Sequence, residues 1–208
     1  MAEGILFYRQ NSSRIDTPAG RVYVDPFLMT EEPHDAVFVL VTHEHHDHFS
    51  PEDLAKVANR DTVLIFPQSM LDKMREVETL FPRIELVVPG EHYVIDGLEF
   101  DTVHAYNNGK PFHPAGAEWV SYIVNANAGR VYIAGDTDAT EEAKAVRCDV
   151  ALIPIGGKYT MDAKEAAELV NTIRPATVIP VHYGGMLGNE DVVKTFAELV
   201  DPSVHVEI

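Results

Sequence analysis

A single cysteine, Cys148, stands in a chain of 208 residues. It cannot close an internal disulfide, which excludes a disulfide-stapled secreted scaffold and fits a reducing cytoplasm. Cys148 lies just before the apolar run Val150-Ala151-Leu152-Ile153 and reads as a small core residue rather than a nucleophile. No apolar run approaches the roughly 18–20 residues of a membrane span. Met1-Ala2-Glu3-Gly4 has neither the basic flank nor the cleavage site of a signal peptide. Basic residues are also scarce, 16 Lys and Arg against 33 Asp and Glu, for a net charge of −17. Nucleic-acid binders need basic surface to neutralise phosphates, and no Lys/Arg cluster is visible. The overall field would repel a long polyanion, so a small-molecule substrate is favoured and nucleic acid is not expected as a partner. The hydrophobic share of 46% and charged share of 24% are ordinary for a soluble globular protein. Residues 1–208 are most simply one domain, large enough to bury a substantial core. Oligomeric state stays open, a homo-oligomer included.

Against this sparse background one stretch is dense in chemistry, Thr42-His43-Glu44-His45-His46-Asp47-His48. It follows Ala36-Val37-Phe38-Val39-Leu40-Val41, which reads as a buried strand. It precedes Ser50-Pro51-Glu52-Asp53-Leu54, a helix start with Ser at the cap, Pro at the first helical position and acids in the first turn. Four histidines and an aspartate therefore occupy a strand-to-helix loop, where function concentrates. Alternate side chains of an extended segment share a face, so His43 and His45 can grip one metal ion. Asp47 and His48 come after the chain begins to turn and can aim at a second ion. A histidine-rich surface loop that binds metal by accident is the competing reading. The capped helix after the loop and the apolar strand before it argue for a metal site.

The rest of the chain interleaves strands and helices. Residues 5–8 and 21–25 read as strands joined through a Pro18-Ala19-Gly20 turn. Residues 62–66, 84–88 and 93–95 read as further strands, and residues 68–81 carry apolar residues at helical spacing. Residues 98–104 alternate in period two and end at His104. Residues 119–124 and 130–134 form an expected hairpin that runs into Gly135-Asp136-Thr137-Asp138. Asp138 is expected to begin the helix around residues 140–146. Asp162 with Glu165 makes a capping box for a helix to Ile173. Residues 177–182 form the last core strand, ending at His182; Tyr183-Gly184-Gly185 turns the chain out, and a helix from Glu190 to Leu199 follows. His34, His92 and His205 read as surface histidines.

The run His43-Glu44-His45-His46-Asp47-His48 resembles the H-x-H-x-D-H signature of the metallo-β-lactamase superfamily, and the likeness spans nearly the whole chain. It looks closest to the branch of metal-dependent hydrolases that includes ascorbate-6-phosphate lactonase and the N-acyl-phosphatidylethanolamine phospholipase D enzymes. The resemblance implies an α/β fold of αββα type, two mixed β-sheets packed face to face with helices on the outer faces. It implies two divalent metal ions, zinc first and manganese, iron or nickel as alternatives. His43, His45 and His104 would hold one ion; Asp47, His48 and His182 would hold the other, and Asp136 would bridge them. Asp25 would brace the histidine loop from behind, although it also reads as a turn aspartate before Pro26. Relatives often carry a Gly-His-Ser-like run where Asn11-Ser12-Ser13 stands here.

The same resemblance places substrate-facing residues. The loop Tyr106 to Pro114 would shape the pocket, with His113 as a proton donor and Lys110 as an anion contact. Either could instead serve the loop itself. The run Pro154-Ile155-Gly156-Gly157-Lys158-Tyr159-Thr160-Met161 would bring Lys158 and Tyr159 to the substrate, or it is a tight glycine turn with solvated tips. The implied chemistry is hydrolysis of a small ester, lactone or phosphodiester by metal-activated water, with Asp47 orienting that water. The alternatives are a phosphodiesterase or nuclease on the same scaffold, a non-catalytic metal-binding module, and di-iron oxygen chemistry, which the lack of a flavin domain disfavours.

Overall fold

Apolar runs of four to six residues, too short for helices and bounded by turn residues, become the buried strands of two sheets. The computed structural model describes residues 2–183 and 191–208. In the first sheet β1 (Ile5–Arg9), β2 (Ser12–Thr17) and β3 (Gly20–Val24) form an antiparallel meander. Then β4 (Phe38–Leu40), β5 (Val63–Pro67) and β6 (Arg83–Val87) add on in parallel. The second sheet has the order β13-β12-β11-β10-β9-β8-β7, from β7 (His92–Ile95), β8 (Leu98–His104), β9 (Val120–Ala126), β10 (Gly129–Ile133), β11 (Val150–Pro154), β12 (Thr177–Val181) and β13 (His205–Val206). Its first four strands in sequence are antiparallel and β10 to β13 run parallel.

One core lies between the sheets, where Ile15, Val24, Phe38 and Leu40 meet Phe100, Tyr122, Val131 and Leu152. The outer face of the first sheet is covered by α1 (Pro51–Val57) and α2 (Met74–Val77), which bury Leu54, Val57 and Val77. The outer face of the second is covered by α3 (Glu141–Ala145), α4 (Ala163–Ile173) and α5 (Asp191–Leu199). This is the expected αββα sandwich.

Local differences have local causes. The stretch expected as one helix over residues 68–81 is a 3-10 turn (Gln68–Lys73) followed by the single turn of α2, with Met70 out of helical geometry at φ −91° and ψ 15°. Only part of its apolar stripe finds a core: Met70 and Val77 are buried, while Leu71 is 51% exposed. Strand β2 is hidden in the sequence because Ser12, Ser13 and Arg14 interrupt its pattern, yet both serines are buried against β1 and β3. The Asp162 capping box is present as expected. The start of the last helix at Glu190 and the Gly184-Gly185 turn lie outside the described residues. Among the described residues no helix is long and apolar enough to cross a membrane.

Candidate metal centre

The parallel strands β3, β4, β10, β11 and β12 all point their carboxyl ends at one edge of the sandwich, where open α/β sheets place ligands. Asp25 follows β3, His43 to His48 follow β4, Asp136 follows β10 and His182 follows β12. Two backbone contacts pin the sheets together there: Val120 N donates to Thr42 O at 3.2 Å and His182 N donates to Gln10 O at 2.6 Å. The chain needs special geometry to do this. Asp25 and His182 both adopt positive φ, 44° and 55°, a conformation that non-glycine residues hold mainly where surrounding contacts enforce it. Gly156 is required beside them, since a Cβ there would collide with the backbone oxygen of His182.

Two groups of side chains converge. His43, His45, His113 and Asp136 form one, and Asp47, His48 and His182 form the other; within each group the ligand-type atoms lie within 4.8 Å of one another. Nε2 of His43 is 3.0 Å from Nδ1 of His45. Asp136 stands between the groups, with Oδ2 at 3.2 Å from Nε2 of His113 and Oδ1 at 3.2 Å and 3.3 Å from Nε2 of His182 and His48. Oδ2 of Asp47 is 3.3 Å from Nε2 of His182. Asp136 Oδ1 and the Nε2 atoms of His48, His113 and His182 are buried without a hydrogen-bond partner. Buried polar atoms are otherwise almost always paired, and nitrogen lone pairs facing a carboxylate are what a divalent cation would satisfy. The donor set therefore fits the metals that the sequence implies.

Electrostatics agree with that fit at the first group. At His48 burial would lower the imidazole, but Asp136 and Asp25 raise it well above its ordinary value, so a cation bound there would displace a proton. Burial would raise the Asp136 carboxyl, but His182 and His48 hold it well below the usual carboxylate range. Burial would also raise Asp47, yet His182 and His48 bring it down to about 2. Burial pushes the His43 imidazole well below its ordinary value and lowers His45 as well. Both are thus neutral at pH 7, the form a metal requires.

Behind these groups Asp25 is fully buried and saturated. Its Oδ1 accepts from Thr42 N at 2.8 Å, and its Oδ2 lies within 2.8 Å of Asn11 Nδ2, Thr42 Oγ1 and His48 Nδ1. It is placed to brace the histidine loop, and Asn11 supplies one of its donors. The carboxylate of Asp53, inside α1, accepts from Leu28 N and Met29 N at 2.9 and 3.0 Å. That anchors the loop carrying Phe27 over the site.

Three expectations need correction. His104 is in neither group: its Nε2 lies 2.9 Å from the Ala115 carbonyl and its ring packs on Tyr106. The loop after β8 doubles back, closed by Ala105 N donating to Trp119 O at 3.0 Å and Asn107 N to His113 O at 2.8 Å. This turns His113 inward, completely buried, with ring contacts to His43, His45 and Trp119. His113 therefore stands in the first group where His104 was expected, with its Nε2 3.2 Å from Asp136 Oδ2. Lys110 does not face the cavity; its Nζ donates to Asp138 Oδ1 at 2.7 Å and to Thr160 O at 2.8 Å, stapling three loops. Asp138 does not begin a helix, since α3 is capped by Thr140. The bonding of Asn107 to Asp138 and His113 is what sequence reasoning missed, and the density of Asn in Tyr106-Asn107-Asn108 was the available signal.

A cavity of about 480 Å³ opens over the two groups. His45, Asp47, His113, Asp136 and His182 line it from the two groups, and Phe27, Phe112, Tyr159, Lys158, Gln10 and His46 complete the lining. Phe112 and Tyr159 pair edge to face at 4.6 Å, and the Lys158 ammonium sits 4.8 Å over the Tyr159 ring.

Residues 4–182 match a family model described as the beta-lactamase superfamily domain. The chain belongs to the beta-lactamase superfamily. A metal-dependent hydrolase from Methanopyrus kandleri is 33% identical over 179 residues, covering 78% of this chain and 76% of that one. A solved structure described as a metal-dependent hydrolase from Parabacteroides distasonis matches with a TM-score of 0.80 and 26% identity, over 98% of this superfamily member and 91% of that chain. A metallo hydrolase from Ignicoccus hospitalis shares the fold at a TM-score of 0.76 and 19% identity, over 98% and 93%. The superfamily expected from the histidine motif is thus the one found, and the curated relatives are named metal-dependent hydrolases.

Proposed function

We propose that this superfamily member is a dinuclear metal-dependent hydrolase of small esters, lactones or phosphodiesters, built as one domain. His43, His45 and His113 would hold one ion with Asp136 Oδ2; Asp47, His48 and His182 would hold the second with Asp136 Oδ1. The observation that carries this reading is the cluster of buried, unpartnered atoms on and around Asp136. Three imidazoles with one carboxylate oxygen suit zinc, and the second, oxygen-richer set also suits manganese or iron. Such a pair of ions supplies Lewis-acid polarisation of the substrate oxygen and lowers the pKa of water from about 15.7 towards roughly 7.

The chain's own residues do the rest. Asp47 faces the cavity and, with its carboxyl held at about 2, is ionised at neutral pH. It orients an attacking water by accepting from its O–H, and it is too weak a base to take the proton for long. Phe27, Phe112 and Tyr159 offer apolar walls to the body of a substrate, and Lys158 brings an ammonium group to the lining. That pairing suits a small substrate with an anionic group. A cavity of about 480 Å³ accommodates a metabolite-sized molecule, and the net charge of −17 disfavours a nucleic acid. The Cys148 thiol, pushed up to about 12 by burial, is inert and compatible with the cytoplasm.

Metal analysis of the purified protein, joined to a turnover screen over lactones, thioesters and phosphodiesters, tests the proposal. Two divalent ions per chain and turnover abolished by a chelator and by Asp136→Ala are expected. Turnover that survives both treatments would refute it.

A further inference from the structure

His113 can serve a metal through Nε2 only if that nitrogen carries no proton. An imidazole has two neutral tautomers, and the partner of the other nitrogen selects between them. The hydrogen-bond chain behind His113 makes that selection. The Asp138 carboxylate accepts from Lys110 Nζ at 2.7 Å and from Asn108 N at 2.8 Å. Its remaining contact is Asn107 Nδ2, at 3.2 Å. An ionised carboxylate only accepts, so the Asn107 side chain must turn its NH₂ towards Asp138. Its carbonyl Oδ1 then lies 3.0 Å from Nδ1 of His113. A carbonyl also only accepts, so Nδ1 carries the proton, and of the two neutral tautomers this selects the one whose Nε2 keeps its lone pair. Lys110, tied to the Thr160 carbonyl as well, fixes the polarity of the chain at its far end.

The identity of Asn107 has no simpler explanation in the turn. Between Ala105 and His113 the positive φ belongs to Gly109, so Asn107 is not in the left-handed conformation that asparagine tolerates well. Its side chain is instead enclosed, with the residue 7% exposed.

We propose that Asn107, held by Asp138, is a positioning residue that selects the Nδ1–H tautomer of His113 and so presents Nε2 to the metal. This rests on the ligand role assigned to His113 above. The test uses zinc alone with the full chain, in Asn107→Leu, Asp138→Asn and the double exchange Asn107→Asp/Asp138→Asn. Chelator competition gives the zinc Kd, and ¹⁵N spectra of the imidazole nitrogens give the tautomer. Far-UV circular dichroism identifies folded variants, and Asp138→Asn serves if Asn107→Leu does not fold. Each single variant is expected to weaken zinc by about 10–100-fold and to lose the slowly exchanging Nδ1 proton. The double exchange places a carboxylate oxygen against Nδ1–H, with an amide behind it. It is expected to restore zinc binding to within about threefold of the parent, a rescue that a purely structural role would not give. Zinc affinity unchanged in folded Asn107→Leu, zinc bound to His113 through Nδ1, or no rescue by the exchange would each overturn the proposal. A parent protein that takes no zinc at His113 would overturn the ligand assignment as well.

Discussion

Asp25 is the residue whose removal should cost most for its distance from substrate. Alanine there would strip the acceptor from Thr42 N, Asn11 Nδ2 and His48 Nδ1 at once, in a pocket with no solvent access. Each orphaned buried donor costs about 1–3 kcal/mol. A water admitted into the space left by the carboxyl would recover part of that. The net loss is expected at about 3–5 kcal/mol, the range for removing one partner of a buried charged pair. Asp25→Asn is the gentler perturbation: one amide oxygen can still accept, but the NH₂ must face at least one existing donor. That variant is therefore expected to cost about 1–3 kcal/mol while weakening zinc by about 10–100-fold through the misdirected His48 ring. Urea unfolding of the metal-free variants gives the first quantity, and zinc competition gives the second. If Asp25→Ala unfolds with the parent's free energy and binds zinc with the parent's Kd, the bracing role is wrong.

Two further outcomes follow from the geometry. His113→Ala should lose an ion's worth of zinc from the titration endpoint while His104→Ala keeps the parent stoichiometry; the reverse pattern would restore the arrangement expected from the sequence. Asp53 is depressed below its ordinary value because bonds from Lys56, Ser50 and the Met29 and Leu28 amides outweigh the burial that would raise it. A depressed carboxyl contributes stability above the unfolded pKa of about 3.9 and loses it as pH falls through the folded value. The Tm gap between the parent and Asp53→Asn should accordingly be full at about pH 5–7 and narrow towards about pH 2; a constant gap would mean that Asp53 acts only through shape.

The sandwich was legible because its strands are apolar blocks, and the histidine loop was legible because strand, loop and capped helix follow one another in the sequence. Asp136 and His182 were equally exposed to inspection, each sitting at the end of a buried parallel strand. His104 misled for the same reason. It too ends a strand, and period-two alternation locates strand ends without saying where the following loop goes. What sends His113 inward is long-range: the Trp119 ring against three imidazoles and a backbone bond from Ala105 to Trp119. No local pattern encodes that closure. Lys110 misled differently, since a lysine in a pocket loop invites an anionic ligand, and here the anion is the protein's own Asp138.

The interior carboxylates show why one place in the molecule differs from all others. Asp25, Asp53, Asp136 and Asp138 are the buried acids among the described residues. Asp25, Asp53 and Asp138 are each surrounded by amide, hydroxyl, imidazole or ammonium donors. Asp136 is given imidazole nitrogens instead, and one of its oxygens together with three of those nitrogens is left without a hydrogen-bond partner. In a chain already carrying a net charge of −17, burying that acid has a desolvation cost, which its attraction to His182 and His48 outweighs. The three satisfied acids hold the surrounding loops in place: Asp25 behind His48, Asp53 behind Phe27, and Asp138 behind His113. Their bonds build a rigid frame around the unpartnered atoms at Asp136. A cation bound there would complete the polar interior as well as serve chemistry, so metal loading and folding stability should be linked in this protein.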